Sequence, residues 1–512
     1  MWTFQLTLTS GNVDLNARTW TLGANLVIDN GCVFTLNGGT LTDGAGTYSV
    51  TVIVGTLNAS LGNVTVGDFL LTNAASVASL GTGTFTVGAM SVSAGTFTQT
   101  GVSALHTASS LAVSGGACVW DSTLVGGSLT IGGAISVTGG SLALGNKTVG
   151  CVSIDVNTAG SIDLGSAAIT ASGAPNVINT AGVIANTAST LTLNGGGNLT
   201  LDNDQSIGNL TIASAVTVAS APALSDVVNL VINAGASVAA GANDLTVSGV
   251  GTLAGSYTES TGTLSVTGVL TLNGAGSITS TGGGDLLCGA DLVFGATNTG
   301  NIDMSVGGGF VSVTGNLTQN AGSTGDISLN GGNLTVTGVL SNRNTITLAG
   351  TSSLSVTLTT DNVGGAAQIN STGTGTQSYT GAVTNSGTIT GAGLMTYSST
   401  LSSTAGSVTS GSGGLLVVGD ANFAGSTLNG YGAGDPDLSF QGNLTFGTYV
   451  ANGDVLVFSG GVNPQVLTPN ANNFGAIEVA KGAGAAVELS AGGGGAGHFR
   501  GGHAGLFAQS AG

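Results

Sequence analysis

Two pairs of aspartates have the spacing that acid–base chemistry on a glycosidic bond requires. Asp202 and Asp204 form one pair, and Asp435 and Asp437 form the other. Residues two apart on a β-strand point to the same side of the sheet. Glycoside hydrolases use two such carboxyl groups, one as an acid and the other as a base or nucleophile. Either pair would therefore suit a polysaccharide-cleaving site if the neighbouring residues bound sugar.

The neighbouring residues that a sugar groove needs are sparse in this sequence. Such grooves normally offer aromatic platforms and basic side chains, and Arg343 is the only Lys or Arg between Lys147 and Lys481. We therefore interpret both aspartate pairs as turn carboxylates and predict that the chain is not an enzyme. A β-helix protein that binds or cleaves polysaccharide is kept as the alternative.

A third aspartate suggests a metal instead of catalysis. Asp420, Asp435 and Asp437 lie close together in the sequence. Carboxylate and turn carbonyl oxygens are the ligands that Ca²⁺ prefers. The G-G-x-G-x-D nonapeptide repeat of calcium-binding β-rolls is missing. The sequence thus predicts either a calcium site at these three residues or ordinary turn carboxylates, and calcium is the one cofactor we consider.

The sequence gives little support for a catalytic or zinc-binding site that uses histidine. His106 is the only histidine in the body of the sequence, because His498 and His503 lie near its C-terminus with Arg500 between them. A serine nucleophile needs a histidine base, and no G-x-S-x-G elbow precedes a helix. Zinc needs further ligands beside the two C-terminal histidines. We expect neither a triad nor a zinc site.

The cysteines are predicted to be buried small apolar residues. They are far apart and flanked by small or apolar neighbours, with no C-x-x-C pair that would indicate zinc or redox chemistry. These residues are Cys32, Cys118, Cys151 and Cys288.

Composition identifies the elements that must carry these residues. The chain has 512 residues with 92 glycines, 41% apolar residues, only 5% charged residues and five prolines. Five prolines exclude collagen, the scarcity of Lys, Arg and Glu excludes long coiled coils, and interrupted apolar runs exclude a membrane span. The positive mean hydropathy argues against disorder. A β protein rich in Gly, Thr, Ser, Val and Leu remains.

Net charge restricts the partners. The chain carries 23 acidic and five basic residues, a formal charge of −18. A phosphate backbone or an anionic membrane surface would be repelled, because no basic patch is available to neutralise it. Nucleic acid is therefore excluded as a partner.

A repeat of about 20 residues organises the chain. Its core is a strand of the form x-Leu-Thr-Val, in which apolar and hydroxylated residues alternate as in a strand with one buried face. Turn signals such as Leu-Asn-Gly and Val-Thr-Gly separate the strands. The repeat predicts an all-β fold, an elongated parallel β-solenoid (β-helix). The clearest copies are Asn63–Val66, Thr84–Val87, Ser128–Ile131, Asn209–Ile212, Asn229–Ile232, Asp244–Val247, Thr263–Val266, Asn333–Val336 and Ser353–Val356.

Stacked coils place equivalent residues in rows. We expect outward rows of Thr and Ser, and inward or turn-lining ladders of Asn. A single coil buries too little apolar surface to stand alone, so stability must come from contacts between neighbouring coils.

Four regions are predicted. Residues 1–60, with Trp20 and Phe34, form an N-terminal capping region, and residues 61–415 form the regular array. Residues 416–490 form a C-terminal solenoid or capping module richer in aromatic residues, and residues 491–512 form a Gly/Ala-rich tail without strands. The first 20 residues show no basic region followed by an apolar core, so we expect either that a secretory signal was removed or that the chain is a piece of a longer protein.

A resemblance covers much of the chain. Gly453–Leu489 is similar to a segment of large bacterial cell-surface and adhesin-like proteins, in which a strand ending in Phe is followed by a Gln-x-Leu-Thr-x-Asn loop, an Ile-x-Val strand and a Lys-Gly turn. The repeats before it resemble the filamentous β-solenoid arrays of the same proteins. The matching positions are Phe458, Gly460, Gln465, Leu467, Thr468, Asn470, Phe474, Ile477, Val479, Lys481, Gly482, Val487 and Leu489.

Together these patterns predict a structural or adhesive protein. We expect a bacterial extracellular or cell-surface β-solenoid that acts as a stalk, adhesin or fibre subunit. Its expected partners are other copies, end to end or side by side, and surfaces or glycans. A self-assembling extracellular filament protein is the remaining alternative.

Overall fold

All regular structure in the described residues is β-strand. The computed structural model describes residues 5–101, 105–120, 127–173, 177–179, 183–185, 188–200, 207–220, 224–432, 437–470, 472, 474, 476–481, 485–490, 498–500 and 506–509. The chain forms two compact units, Met1–Gly249 and Val250–Gly512. Within the described ranges there is no helix of the length and apolarity that a membrane crossing requires.

Each unit is a parallel β-solenoid with coils of about 21 residues. In the first unit Val64 pairs with Phe85, and Phe85 pairs with His106 one coil further on. Several strands are long because they turn a corner without interruption: Phe85–Val87 pairs with Val64–Val66, and Phe69–Leu71 pairs with Met90–Val92 of the same long strand. The predicted fold class is therefore confirmed. The strands of the first unit are Gln5–Leu8, Asn12–Asp14, Thr19–Thr21, Asn25–Ile28, Val33–Thr35, Thr40–Thr42, Val50–Val52, Thr56–Ala59, Asn63–Val66, Phe69–Leu71, Val77–Leu80, Phe85–Val92, Thr96–Gln99, Leu105–Val113, Ala117–Trp120, Ser128–Ile131, Ala134–Ala143, Thr148–Cys151, Ser153–Asp163, Ala168–Ala171, Val177–Asn179, Val183–Ala185, Thr190–Leu193, Gly197–Thr200, Ile207–Ile212, Ala215–Ser220, Leu224–Ile232, Ser237–Gly241 and Leu245–Val247.

The strands of the second unit form three parallel sheets around one core, here called A, B and C. Sheet A comprises Thr263–Val266, Asp285–Cys288, Val311–Val313, Leu334–Val336, Leu354–Val356, Gln377–Tyr379, Met395–Tyr397, Leu415–Val417, Leu438–Phe440, Val455–Phe458, Ala476–Val479 and His498–Arg500. Sheet B comprises Gly251–Leu253, Leu270–Leu272, Leu292–Phe294, Leu317–Gln319, Leu340–Asn342, Thr360–Asn362, Val383–Asn385, Leu401–Ser403, Ala421–Asn422, Leu444–Thr445, Gln465–Thr468, Ala486–Leu489 and Leu506–Gln509. Sheet C comprises Ser256–Glu259, Ser277–Ser280, Ile302–Met304, Ile327–Asn330, Thr345–Ala349, Gln368–Ser371, Thr388–Thr390, Ser407–Thr409, Thr427–Asn429 and Thr448–Val450.

The alternating pattern points apolar residues into the core, as predicted. Each fully buried Leu, Val or Ile contributes roughly 1.5–3 kcal/mol through the hydrophobic effect, so stability is spread along the stack. The predicted inward residues are all buried: Val64, Val66, Leu210, Ile212, Leu245, Val247, Leu264, Val266, Leu334 and Val336.

The aromatic C-terminal segment is buried too. Phe458, Phe474, Ile477 and Val479 are all buried. The Phe474 ring lies 5.2 Å from that of Phe446. These residues of the aromatic-rich C-terminal region therefore form part of the core.

The core of the second unit also contains a polar ladder. Gln319, Asn342, Asn362, Asn385 and Ser403 occupy equivalent inward positions of successive sheet B strands. All five side chains are buried. The predicted inward amide ladder is thus present. Its residues are the last inward residues of sheet B strands, and the first inward residue of each of these strands is apolar or Thr.

Two strands lie where the sequence predicted none. His498–Arg500 pairs with Ala476–Glu478, and Leu506–Gln509 pairs with Ala486–Leu489. The expectation of a tail without strands is wrong for these two segments; the rest of 491–512 lies outside the described residues. The physical reason is that the edge of a sheet offers a row of backbone donors and acceptors, which can be paired without an alternating side-chain pattern.

Candidate functional surface

The two aspartate pairs are only partly within the described residues. Asp202, Asp204 and Asp435 lie outside them, so neither pair has a geometry to report. Asp420 is exposed, and its Oδ1 accepts a hydrogen bond from the backbone N–H of Asn443 at 2.8 Å. No group of three or more His, Cys, Asp or Glu residues that could hold a metal occurs among the described residues. The calcium site at Asp420, Asp435 and Asp437 stays a prediction.

Asp420 belongs to a set of side-chain bridges between coils. Its acceptor role recurs at Asp291, whose Oδ1 accepts the backbone N–H of Asn316 at 2.7 Å, 25 residues further on. Asn316 in turn accepts the N–H of Val339 at 2.8 Å. Such bonds fix the start of each strand against the next coil and leave the carboxylates spread out. Comparable bridges begin at Asn25, Asn63, Asp68, Asp285, Asn301, Asp326, Asn333, Asn443 and Asn463.

Asp43 shows the same role inside the first unit. Its buried carboxylate accepts the backbone N–H groups of Gly46, Tyr48 and Gly67 at 2.7, 2.8 and 3.1 Å. Burial raises the pKa of Asp43, but the backbone N–H donors stabilise its charged form and leave the pKa below its usual value. This aspartate is therefore ionised and structural.

His106 is a buried core residue. Its side chain is fully buried in the column between Phe85 and Leu129, and its ring lies 5.2 Å from that of Trp120. Neither ring nitrogen has a hydrogen-bond partner among the described residues. Burial, and secondly the charge of Lys147, lowers the pKa of His106 to about 4. A neutral imidazole without an orienting partner does not form a catalytic triad. Nothing is described of the His498 side chain or of His503.

The four cysteines are free and buried, as predicted. Burial raises the pKa of Cys118, Cys151 and Cys288 to about 12, and it raises that of Cys32 as well. Thiols in this state are poor nucleophiles at neutral pH.

A cavity on the first unit combines polar and aromatic groups. It has a volume of about 590 Å³ and is lined in part by Thr98, Thr100, Trp120, Asp163 and Ser166. Hydroxyls and a carboxylate can bind a small polar ligand such as a sugar. The Trp120 ring itself is buried and packs against Phe97 and His106. Sequence analysis did not find this cavity, because its residues come from separate coils and share no motif.

The outward side of sheet A carries a broad uncharged surface. On six successive coils, the outward positions before, within and after each strand hold no acidic or basic residue. We call this surface the neutral face. It consists of Phe310, Ser312, Thr314, Asn333, Thr335, Thr337, Ser353, Ser355, Thr357, Thr376, Ser378, Thr380, Leu394, Thr396, Ser398, Leu416 and Val418.

Charged residues of the same coils lie on the other sheets. Asp326 precedes a sheet C strand and Asp361 lies within sheet B. Arg343 follows one sheet B strand, and Asp420 precedes another. The position equivalent to Phe310 is Asp285 on the coil before the neutral face. Asp437 takes the same position on the coil after it. The sequence predicted hydroxyl rows, but it did not predict that six successive coils of sheet A would carry no charged residue on their outward side.

Comparison with known proteins gives no further assignment. No protein-family model, no curated protein and no solved structure matches this chain.

Proposed function

We propose that this chain is a structural or adhesive solenoid of a bacterial cell surface or the extracellular space, without catalytic activity. It would serve as a stalk, an adhesin or a fibre subunit. The observation that supports the proposal is the neutral face, where Thr335, Ser355 and Ser378 occupy equivalent outward positions on successive coils. Repeated weak contacts along such a row gain strength through multivalency.

The use of the carboxylates supports the same proposal. Asp43, Asp291 and Asp420 accept backbone N–H groups, which stabilises turns and strand starts. Residues engaged in this way are not available as a paired acid and base. Calcium bound by the remaining carboxylates would act by neutralising charge on a chain at −18, and a chelator would then lower the melting temperature without changing any reaction.

A polysaccharide panel tests the absence of catalysis. Purified protein is incubated with neutral and acidic polysaccharides, and new reducing ends are measured. We expect binding or self-association without cleavage, unchanged by Asp202→Asn with Asp204→Asn or by Asp435→Asn with Asp437→Asn. Reducing ends that disappear with one of these double substitutions would overturn the proposal in favour of a glycan-cleaving enzyme.

A carbohydrate-binding protein is the second candidate. The cavity beside Asp163 favours it, because a carboxylate with nearby hydroxyls suits a sugar. Titration with soluble oligosaccharides, comparing the native chain with Asp163→Asn, tests this candidate. Asp303→Asn serves as a control that changes charge equally on the second unit.

A further inference from the structure

We propose that the neutral face binds the neutral face of a second copy of this chain. The two copies would meet face to face around a twofold axis that lies in the contact plane, parallel to the strands of sheet A, so that their coil stacks run in opposite directions. This inference rests on the proposed structural function and specifies the partner and the surface that it uses.

The lack of charge favours this surface for a contact between copies. Each copy carries a formal charge of −18, so most contacts between copies would oppose carboxylate with carboxylate. Repulsion is screened over about 8 Å at physiological ionic strength, which is longer than a direct contact distance. A contact between copies is therefore favoured where carboxylates are absent. The neutral face provides six such coils, with Asp285 and Asp437 only on the coils beyond it.

Hydrogen-bonding chemistry makes this face complementary to itself. A Thr or Ser hydroxyl both donates and accepts a hydrogen bond, so a hydroxyl row can pair with an identical row. Thr335, Ser355, Ser378 and Thr396 form such a row along the middle of the face. A row of carboxylates or of amines has no such property, since each group then only accepts or only donates.

Exposed apolar residues add a hydrophobic contribution. Phe310 is 39% exposed, Leu394 41% and Val418 39%, and all three lie on the neutral face. Phe310 lies on the first coil of the face, and Leu394 and Val418 lie on its last two. A twofold axis at the centre would bring the Phe310 end of one copy against the Leu394 and Val418 end of the other.

The contact area between the two copies sets the expected strength of their association. Six coils about 4.8 Å apart and five residues about 3.3 Å apart cover roughly 500 Å² per copy. A stable interface needs about 800 Å² per partner. The contact is therefore weak and reversible for an isolated pair, and it becomes significant at high local concentration, as on a crowded cell surface.

Sedimentation of the full chain over a concentration series tests the proposal. We expect the average mass to rise with concentration, and to rise more at about 1 M salt than at about 0.15 M, since salt screens the repulsion elsewhere. Thr335→Glu with Ser378→Glu should weaken association about tenfold or more, because it places carboxylates against each other in the contact. The matched control is Thr347→Glu with Thr384→Glu, which adds the same charge on sheets C and B and should associate like the native chain once salt is raised.

Other results would overturn the inference. The inference is wrong if the chain stays monomeric at every protein and salt concentration. It is also wrong if the two double variants weaken association equally. Urea unfolding of both variants verifies that they are folded.

As an independent readout, a short bis-maleimide should cross-link Ser355→Cys into dimers but not Thr384→Cys, since the native cysteines are buried. Adhesion to surfaces without self-association would refute this contact and leave the proposed function intact, whereas glycan cleavage would refute the proposed function itself.

Discussion

The amide Nδ2 of Asn342 donates a hydrogen bond of 2.6 Å to Oδ1 of Asn362, one coil further along, with both side chains fully buried. The same 2.6 Å bond recurs from Asn362 to Asn385, and Asn385 donates to Ser403 Oγ at 3.0 Å. Asn342 also donates to the backbone carbonyl of Gln368. A slip of one residue in one strand would turn its amide out of the core, so the ladder fixes the register of the coils.

Replacing the middle of this ladder should destabilise the second unit. In Asn362→Leu, the carbonyl of Thr388 loses its donor and Asn342 loses an acceptor in the core. We expect a loss of about 1–3 kcal/mol in the free energy of unfolding, measured by urea denaturation. The control is Ser402→Leu, an outward substitution on the same sheet. Equal stability of the two variants would show that the ladder is not stabilising.

His106 should make the first unit sensitive to acid. Its folded pKa of about 4 lies below the ordinary value of 6.5, so the unfolded chain binds more protons between these pH values. The stability that His106 contributes is present above pH 6.5 and decreases as the pH falls towards 4, by about 3 kcal/mol in total.

The comparison with His106→Leu isolates this effect. Carboxylates also titrate in acid, but they do so in both proteins. We expect the difference in unfolding free energy between native and variant to change with pH between about 6.5 and 4 and to stay constant above. A pH-independent difference would mean that His106 is protonated in the folded state as easily as in the unfolded state.

The cysteines should be unreactive until the chain unfolds. Burial raises the pKa of Cys118, Cys151 and Cys288 to about 12, and all four thiols are shielded from reagent. We expect no thiol reaction with a colorimetric disulfide reagent in native buffer and four thiols per chain in denaturant. Rapid native labelling of any cysteine would show that its coil opens locally.

Close packing between turns makes some glycines irreplaceable. A Cβ on Gly373 would lie 1.8 Å from the carbonyl oxygen of Gly350 on the previous coil, which neither backbone can accommodate without moving. A Cβ on Gly365 meets nothing within 4 Å. We expect Gly373→Ala to lower stability by about 3 kcal/mol and Gly365→Ala to be neutral or slightly stabilising. Thermal melts of the two variants give the comparison, and similar melting temperatures would contradict it.

The solenoid and its inward residues follow from the alternating sequence pattern alone. Leu334 and Val336 flank Thr335, and such triplets recur at about one coil length, so burial of the apolar pair follows from the period of two in a strand. The raised pKa of the cysteine thiols follows from the same burial. The resemblance to bacterial cell-surface proteins added an expected role, which remains part of the proposal.

Which residues lie above one another depends on how the coils stack in the folded chain. The offset between equivalent residues varies from coil to coil, being 20 residues from Asn342 to Asn362, 23 from Asn362 to Asn385 and 25 from Asp291 to Asn316. Turns of different length absorb this variation, and sequence spacing does not reveal which turn does so. For that reason the bridges from Asp291 and Asp420, the uncharged outward side of six sheet A coils and the residues that make up the predicted amide ladder became visible only in the fold. A row along a solenoid forms where backbone hydrogen bonds between coils align the strands, whatever the number of residues in between.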